Sequence, residues 1–455
     1  MATKNPLENV TLAQYAQDLR SGKRSVQATV SQYLQRIDEQ NTKLDAITEI
    51  APENALAVAK GMDLLLSAGQ DLGPLAGVPV LVKDLFFVEG FGVTAGSRMN
   101  VQDLAPRDEG PFIRALRRAG CVILGKTRTT EFAMGGFNLT HPLPWNPIDL
   151  KVKRMTGGSS HGSAVAMAAG LCAFSVGSDT GGSVRQPAAF TGTVGYKSSR
   201  SYWPTNGVFP MSPELDSVGI FTRSAEDAAW VDAHLNFNSP VGPTDIHVSL
   251  SSLRLGLPSH HVFDYCDAET KESFADAVEK LKQAGVTVVP VEIPEVAEMD
   301  AVFGAMVPAD VLAFLGEERF KQSEAILDPV VWARTQPAFT LKATDYIQTQ
   351  ARYREIATNV AERMLGLDGW ICPTTPTAAP PVAGYDSVPK VGDFNRINTA
   401  NTRPGNLFDQ CGISIPITGA ASGLPLGFQI MSAKGQDKRL LRIACEVEKI
   451  LGRLH

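Results

Sequence analysis

Apolar residues recur every three to four positions through Leu12, Tyr15, Ala16 and Leu19, and again through Val26, Val30, Tyr33, Leu34 and Ile37. That spacing puts them on one helical face, so two amphipathic helices are predicted to open the chain. From residue 74 to 87 the pattern changes. Gly77 and Pro79 punctuate an apolar run, 78–82, that ends in the charged pair Lys83 and Asp84. A short continuous run flanked by breakers predicts a buried strand, here one that delivers a lysine at its end. Residues 112–119 read as a helix closed by Gly120, with 121–124 a short buried strand behind it. Residues 164–176, small and apolar, read as a buried helix passing into a strand, too short for the roughly 20 residues of a membrane span.

Helix and strand alternate again downstream: a helix over 225–235, a strand over 253–257, and a helix feeding a strand between 267 and 292. The proline-rich stretch 373–389 is predicted to wrap the surface, and 435–451 forms a terminal helix. Such alternation predicts an α/β fold whose central β-sheet is mixed and mostly parallel, with helices on both faces. No linker or repeat divides the chain. It is read as a single domain, 1–455, with N-terminal helices (1–70), a catalytic core (71–225) and a part that covers the substrate and completes the sheet (226–455).

With 455 residues, 44% hydrophobic and 20% charged, disorder and fibrous classes are excluded. The net charge of −6 gives no electrostatic reason to bind nucleic acid or an anionic membrane. The cysteines, Cys121, Cys172, Cys266, Cys372, Cys411 and Cys445, are scattered and read as small apolar residues rather than zinc ligands or disulfides. The first eleven residues carry no signal-peptide pattern, which gives a cytoplasmic expectation.

Two motif matches fail on context. Gly120 to Thr127 satisfies G-x-x-x-x-G-K-T, but a phosphate loop needs a strand before its first glycine and a helix after its lysine, the reverse of what surrounds Gly120. Lys126 is instead expected to end a strand beside the functional edge of the sheet. Gly158-Ser-Ser160-His-Gly162 fits the nucleophile elbow with Ser160 at its centre. That elbow follows a buried strand, whereas residues 149–155 are charged. No downstream histidine, among them His234, His247, His260 and His261, is marked out as its partner.

The glycine-, serine- and threonine-rich region from Met155 to Gly195 carries the remaining signal. Met155-Thr-Gly-Gly-Ser-Ser-His-Gly-Ser-Ala164 and Gly177-Ser-Asp-Thr-Gly-Gly-Ser-Val-Arg-Gln-Pro-Ala188 resemble the two halves of the amidase signature. Leu75-Ala-Gly-Val-Pro-Val-Leu-Val-Lys-Asp84 resembles the lysine segment that precedes them. The chain is thus identified as resembling the amidase signature family, in detail from about residue 75 to 222 and more weakly through Ile371 to Pro376 and Gly423 to Gln429. The resemblance implies the amidase-signature fold and hydrolysis of a carboxamide through a Ser-Ser-Lys triad. Ser183 would be the nucleophile, Ser159, after a cis peptide bond, the proton relay and Lys83 the base. It also implies an oxyanion hole from the backbone N–H groups of Thr180, Gly181, Gly182 and Ser183, and neither metal nor cofactor. The partner is a small-molecule amide, with a homodimer left open. Two relatives in function stay beside this reading: the glutaminase subunit of a tRNA-dependent amidotransferase, and a hydrolase of allophanate or another urea derivative.

The residue types suit the chemistry. A serine must lose its proton as it attacks a poor electrophile, and the departing nitrogen must gain one. A lysine serves as base only when neutral, which burial at the end of an apolar strand favours. Asp179 with Arg185, and Asp216, are expected to hold the nucleophile loop rather than react. His161 stands where many family members have glycine, and could line the pocket or cap the adjacent helix. Met134, Gly135, Gly136 and Phe137, together with Ser159, are the expected substrate contacts. Since 132–138 carries no charge, a neutral, partly apolar primary amide is expected rather than glutamine. Arg334, Arg352 and Arg403 are too distant in sequence to place.

Overall fold

Residues 79–83 form the strand around which the site is built. In the computed structural model, which describes residues 4–105, 108–235 and 248–453, eleven strands join in one sheet. They are β1 (Ile47–Ile50), β2 (Pro79–Lys83), β3 (Val122–Thr127), β4 (Phe174–Asp179), β5 (Val194–Lys197), β6 (Ser217–Thr222), β7 (Arg254–Pro258), β8 (Thr287–Val291), β9 (Gly369–Pro373), β10 (Cys411–Thr418) and β11 (Pro425–Ser432). Their order across the sheet is β1-β3-β2-β4-β6-β5-β10-β11-β9-β7-β8. Strands from all three segments anticipated in the sequence lie in this one sheet. His247 and the first three residues lie outside the described residues.

The sheet is mixed and flanked by helices. Parallel pairing joins β2 to β3 and β4, and β7 to β8 and β9. There a helix sits between strands, as the alternation requires: Pro111–Arg118 before β3, His161–Ala168 before β4, Ala268–Gln283 before β8. Antiparallel pairing supplies the rest, including the hairpin of β10 with β11.

The opening helices, Leu12–Arg20 and Val26–Leu44, are N-capped by Thr11 and Ser25, whose hydroxyls accept from Gln14 and Ala28 N–H. A third helix, Pro52–Ser67, follows β1 and was not signalled by the periodicity. Leu12 N–H donates to Asp227 on helix Ala225–His234 at 2.8 Å, and Ala225 N–H donates to Glu448 on the terminal helix Asp437–Leu451 at 3.0 Å. The two ends of the chain thus dock on one helix. The proline-rich stretch differs from expectation: its first residues, Thr374 and Thr375, are buried. Thr374 shares a 2.7 Å hydrogen bond with Ser414, because this stretch continues directly from β9, an interior strand of the sheet. Among the described residues, no helix is long and apolar enough to cross a membrane.

Parallel strands β2, β3 and β4 end together at Lys83, Thr127 and Asp179. The loops leaving such carboxyl ends gather at one edge, the usual place for a site in an α/β sheet.

Candidate active site

All five residues of β2 are buried, and Lys83 is carried inside with them. Its Nζ has three hydroxyl neighbours: Ser159 Oγ at 2.7 Å, Ser160 Oγ at 2.9 Å and Ser178 Oγ at 2.9 Å. Burial pulls the amine down to about 7, against the opposing influence of the Asp179 and Asp216 carboxylates. None of its three contacts is a carboxylate, so among the described residues only neutral hydroxyl acceptors favour the ammonium at contact distance.

Ser159 reaches Lys83 from a turn in which the Gly158–Ser159 peptide bond is cis. The Ser159 carbonyl accepts from Thr130 N–H at 3.2 Å, and Gly158 N–H donates to Gln186 Oε1 at 3.1 Å. Ser160 then starts the helix His161–Ala168. Its hydroxyl donates to the Ser178 carbonyl at 3.1 Å, and its N–H donates to the Ser183 carbonyl at 3.3 Å. Ser160 therefore ties the lysine, the cis turn and the loop after β4 to one another.

That loop, residues 180–184, is organised by a buried ion pair. Asp179 accepts from Arg185 at 2.9 and 3.1 Å, and both side chains are fully enclosed. Although burial works against its charge, the Arg185 guanidinium holds Asp179 down at about 2. The same carboxylate accepts Gly182 N–H at 2.8 Å and Val184 N–H at 3.0 Å. Gly182 was expected to offer its N–H outward; its amide is instead committed to Asp179, while no acceptor meets the amides of Gly181 and Ser183 among the described residues. Gly182 adopts φ of 126°, and a Cβ there would sit 1.9 Å from Thr402 Oγ1, so only glycine fits. Ser183 itself is only half-buried. Asp216 accepts from Thr180 Oγ1 at 2.5 Å and from Met211 and Ser212 N–H at 2.9 and 3.1 Å. Burial pushes it up to about 6 against those hydrogen bonds.

The stretch 134–137 lies beside the cis turn, but its side chains do not make the open apolar wall expected of them. Met134 belongs to the main core, and Phe137 packs with Phe190 and Phe394 in a separate cluster. What this stretch turns toward the site is backbone. Gly136 N–H donates to Asn395 Oδ1 at 2.8 Å, and a Cβ on Gly158 would meet the Gly136 carbonyl oxygen at 3.0 Å.

Lys126 is buried against Asp84 Oδ1 at 3.0 Å and the carbonyls of Phe86 and Gly92 at 2.8 and 2.9 Å, a satisfied structural cation with no place for a phosphate. His161 lies in the first turn of its helix, enclosed, with neither ring nitrogen partnered among the described residues. Burial and the charges of Arg128 and Lys83 push its pKa well down, so the ring is neutral. Three polar groups at the site were not anticipated: Ser178, Gln186 and Asn395. Ser178 and Gln186 both stood inside the quoted Gly177–Ala188 segment, whereas Asn395 meets Gly136 from 259 positions away. Among the described residues there is no cluster of His, Cys, Asp and Glu fit to hold a metal. A cavity of about 550 Å³ lies between Thr377, Tyr385, Phe394 and Asn398, away from Lys83, Ser159 and Ser183.

Known proteins match this chain over nearly its full length. The amidase family model spans residues 28–441. The 2-amino-5-chloromuconic acid deaminase of Comamonas testosteroni is 33% identical over 454 residues, covering 98% of this chain and 97% of the relative. A glutamyl-tRNA(Gln) amidotransferase subunit from Salinispora tropica is 32% identical over 494 residues, covering 98% of each. A crystal structure of an amidase superposes with a TM-score of 0.86 at 28% identity, covering 97% of this chain and 100% of that one. On matches of this extent, the chain belongs to the amidase family, hydrolases of amide C–N bonds.

Proposed function

We propose that the protein cleaves a carboxamide by covalent catalysis, with Ser183 as nucleophile, Ser159 as relay and Lys83 as base. The observation that carries this reading is the Lys83 amine, enclosed, lowered to about 7 and 2.7 Å from Ser159 Oγ. The Ser160 hydroxyl donates its hydrogen bond to the Ser178 carbonyl, so toward Lys83 it can only accept. A neutral amine has two N–H groups and one lone pair. With its N–H groups directed to Ser160 and Ser178, the lone pair is left for the Ser159 hydroxyl. Ser183 then passes its proton through Ser159 to Lys83 as its oxygen bonds to the substrate carbon. The amide N–H groups of Gly181 and Ser183, with Thr180, face the developing oxyanion; one such donor is typically worth about 10²–10³ in rate. The proton returns through Ser159 to the leaving nitrogen, the C–N bond breaks, and water releases the acid from acyl-Ser183 by the same relay.

Ammonia as the leaving group agrees with the deaminase activity by which the Comamonas relative is named. The reaction belongs to one catalytic unit spanning the chain, acting alone or as a homodimer on a small molecule. Unpaired cysteines fit a reducing, cytoplasmic setting. A fluorophosphonate probe tests the reading directly: it should label Ser183 stoichiometrically and stop ammonia release. Labelling elsewhere, or turnover surviving full labelling, refutes it. The amidotransferase relative supports a second reading, a glutaminase subunit. It predicts copurification with partner subunits and glutamine as the preferred amide.

A further inference from the structure

Ser160 is held as an acceptor toward Lys83 because its own hydroxyl donates to the Ser178 carbonyl at 3.1 Å. Ser178 Oγ lies as close to Nζ, at 2.9 Å, yet no acceptor among the described residues takes its hydrogen. That hydrogen has two directions open to it, with opposite consequences. Turned to Lys83, it occupies the lone pair of the neutral amine and shuts out Ser159. Turned away, it leaves the lone pair free.

A cavity beside Ser178 settles the direction. Ser178 forms part of the wall of a space of about 50 Å³, together with Thr180, Thr205, Val208, Asp216 and Ser217. A water molecule needs about 10–15 Å³ of such space and two to four polar partners, so there is room for about three. Asp216 is the strongest acceptor in that wall. Its carboxylate takes hydrogen bonds from Thr180 Oγ1 at 2.5 Å and from Met211 and Ser212 N–H at 2.9 and 3.1 Å, which fill three of the roughly four positions a carboxylate offers. Water that donates to the remaining position turns its oxygen outward, toward a hydroxyl able to donate.

The charge of Asp216 is also felt at Lys83, where it and Asp179 oppose the effect of burial. The neighbouring charges have partners of their own. Asp179 is paired with Arg185 at 2.9 Å and Glu214 with Arg200 at 2.9 Å. Asp310, on helix Met299–Leu315, accepts from Ser212 Oγ at 2.5 Å and from Tyr346 of helix Ala343–Arg363.

We propose that water held in this cavity bridges the Ser178 hydroxyl to the Asp216 carboxylate, so that Ser178 only accepts from Lys83 and Ser159 alone donates to it. Asp216 is then a positioning residue for the base as well as a support for the nucleophile loop. The inference rests on the Ser159–Lys83 relay proposed above and adds the group that keeps a second serine out of it.

A high-resolution crystal structure should show one to three waters linking Ser178 Oγ to an Asp216 oxygen in steps of about 2.5–3.0 Å. A dry cavity, or water that leaves Ser178 untouched, overturns the bridge. Asp216→Asn, equal in size and still able to accept from Thr180, reads the consequence. Without the carboxylate charge the Lys83 ammonium loses support, so the acid limb of kcat/KM should move to lower pH by about 0.5 unit or more, a fraction of the 1–3 units given by a contacting charge. The plateau rate should fall about five- to tenfold, the net worth of one misdirected hydrogen bond. Adding Ser178→Ala removes the competing hydroxyl and should restore most of that plateau rate. A merely structural Asp216 would lower the rate at every pH, leave the limb in place and gain nothing from Ser178→Ala, and that result overturns the proposal. Should Asp216→Asn fail to fold, Val208→Phe fills the cavity from a half-buried wall position and should lower the plateau rate, whereas Val208→Ala leaves the space open and should not. Equal rates in the two Val208 variants overturn the bridge. If no amide is turned over but the bridging water is seen, the water site stands and the relay reading falls. If the Lys83, Ser159 and Ser183 variants lose activity as expected and the cavity is dry, the bridge alone falls.

Discussion

The Lys83 amine and the Ser159 hydroxyl meet at 2.7 Å inside the protein, with no carboxylate touching the amine. Proton uptake is therefore governed by burial, which brings Lys83 to about 7. Below that pH the amine becomes an ammonium and has no lone pair to offer Ser159. The rate constant kcat/KM should fall about tenfold per pH unit on the acid side and level off above it. A profile flat from pH 8 to 5 removes Lys83 as the base.

Ser183→Ala should abolish ammonia release, since the nucleophile is gone and only one hydroxyl is lost from a half-buried position. Lys83→Ala and Ser159→Ala should each lose at least about 10²-fold, the low end for a removed proton-transfer group. Thermal melts of the Ser183 variant should stay within a few degrees of wild type. A wild-type rate in any one of the three sinks the triad.

Ser178 was not anticipated as a partner of the base, and it supplies a sharper test than the triad itself. Its hydroxyl accepts from Lys83 at 2.9 Å and so stabilises the ammonium more than the amine. Ser178→Ala should lower the Lys83 pKa further and move the acid limb of kcat/KM to lower pH. A limb that stays in place, or moves up, shows that Ser178 does not bear on the base.

The contrast between Ser178 and Asn395 shows what the sequence can carry. Lys83, Ser159 and Ser183 stood out as candidates because each sits in a local pattern: an apolar run ending in lysine, and two glycine-rich turns. The strands that bring them together were legible for the same reason. Asn395 carries no such mark. It meets Gly136 from 259 positions away, so neither periodicity nor motif could join them. Met134 and Phe137 misled for a related reason. Their apolarity was visible but its direction was not, and both turn into cores.

The Asp179–Arg185 pair should matter for stability as well as rate. Both side chains are enclosed, and the carboxylate also holds Gly182 and Val184 N–H. Arg185→Met leaves a buried carboxylate without its cation, a change that costs about 3–5 kcal/mol in other buried pairs. Urea unfolding should show a loss of that size, with activity lost alongside as the nucleophile loop relaxes. A variant as stable as the wild type would mean that water or another cation replaces Arg185.

Glutamine offers the last test, because it differs from glutaramate only by an α-ammonium group. Both carry a carboxylate, and both present the same primary amide. The ammonium of glutamine needs an acceptor, and the polar atoms nearest Gly135, Asn395 Nδ2 and Arg334 Nη1, are donors. Arg403 lies near enough to lower the Arg334 pKa, and the acidic side chain of that neighbourhood, Asp300, is already bound to Arg403. Bringing a third positive charge beside two guanidinium groups is unfavourable in a partly desolvated site. Glutaramate should therefore exceed glutamine in kcat/KM by about tenfold or more, the effect of roughly 1.4 kcal/mol of unpaired charge. The measurement needs only ammonia release at matched concentrations. If glutamine is preferred by tenfold, an acceptor for its ammonium must enter the site, and the amidotransferase reading displaces that of a free-standing amide hydrolase.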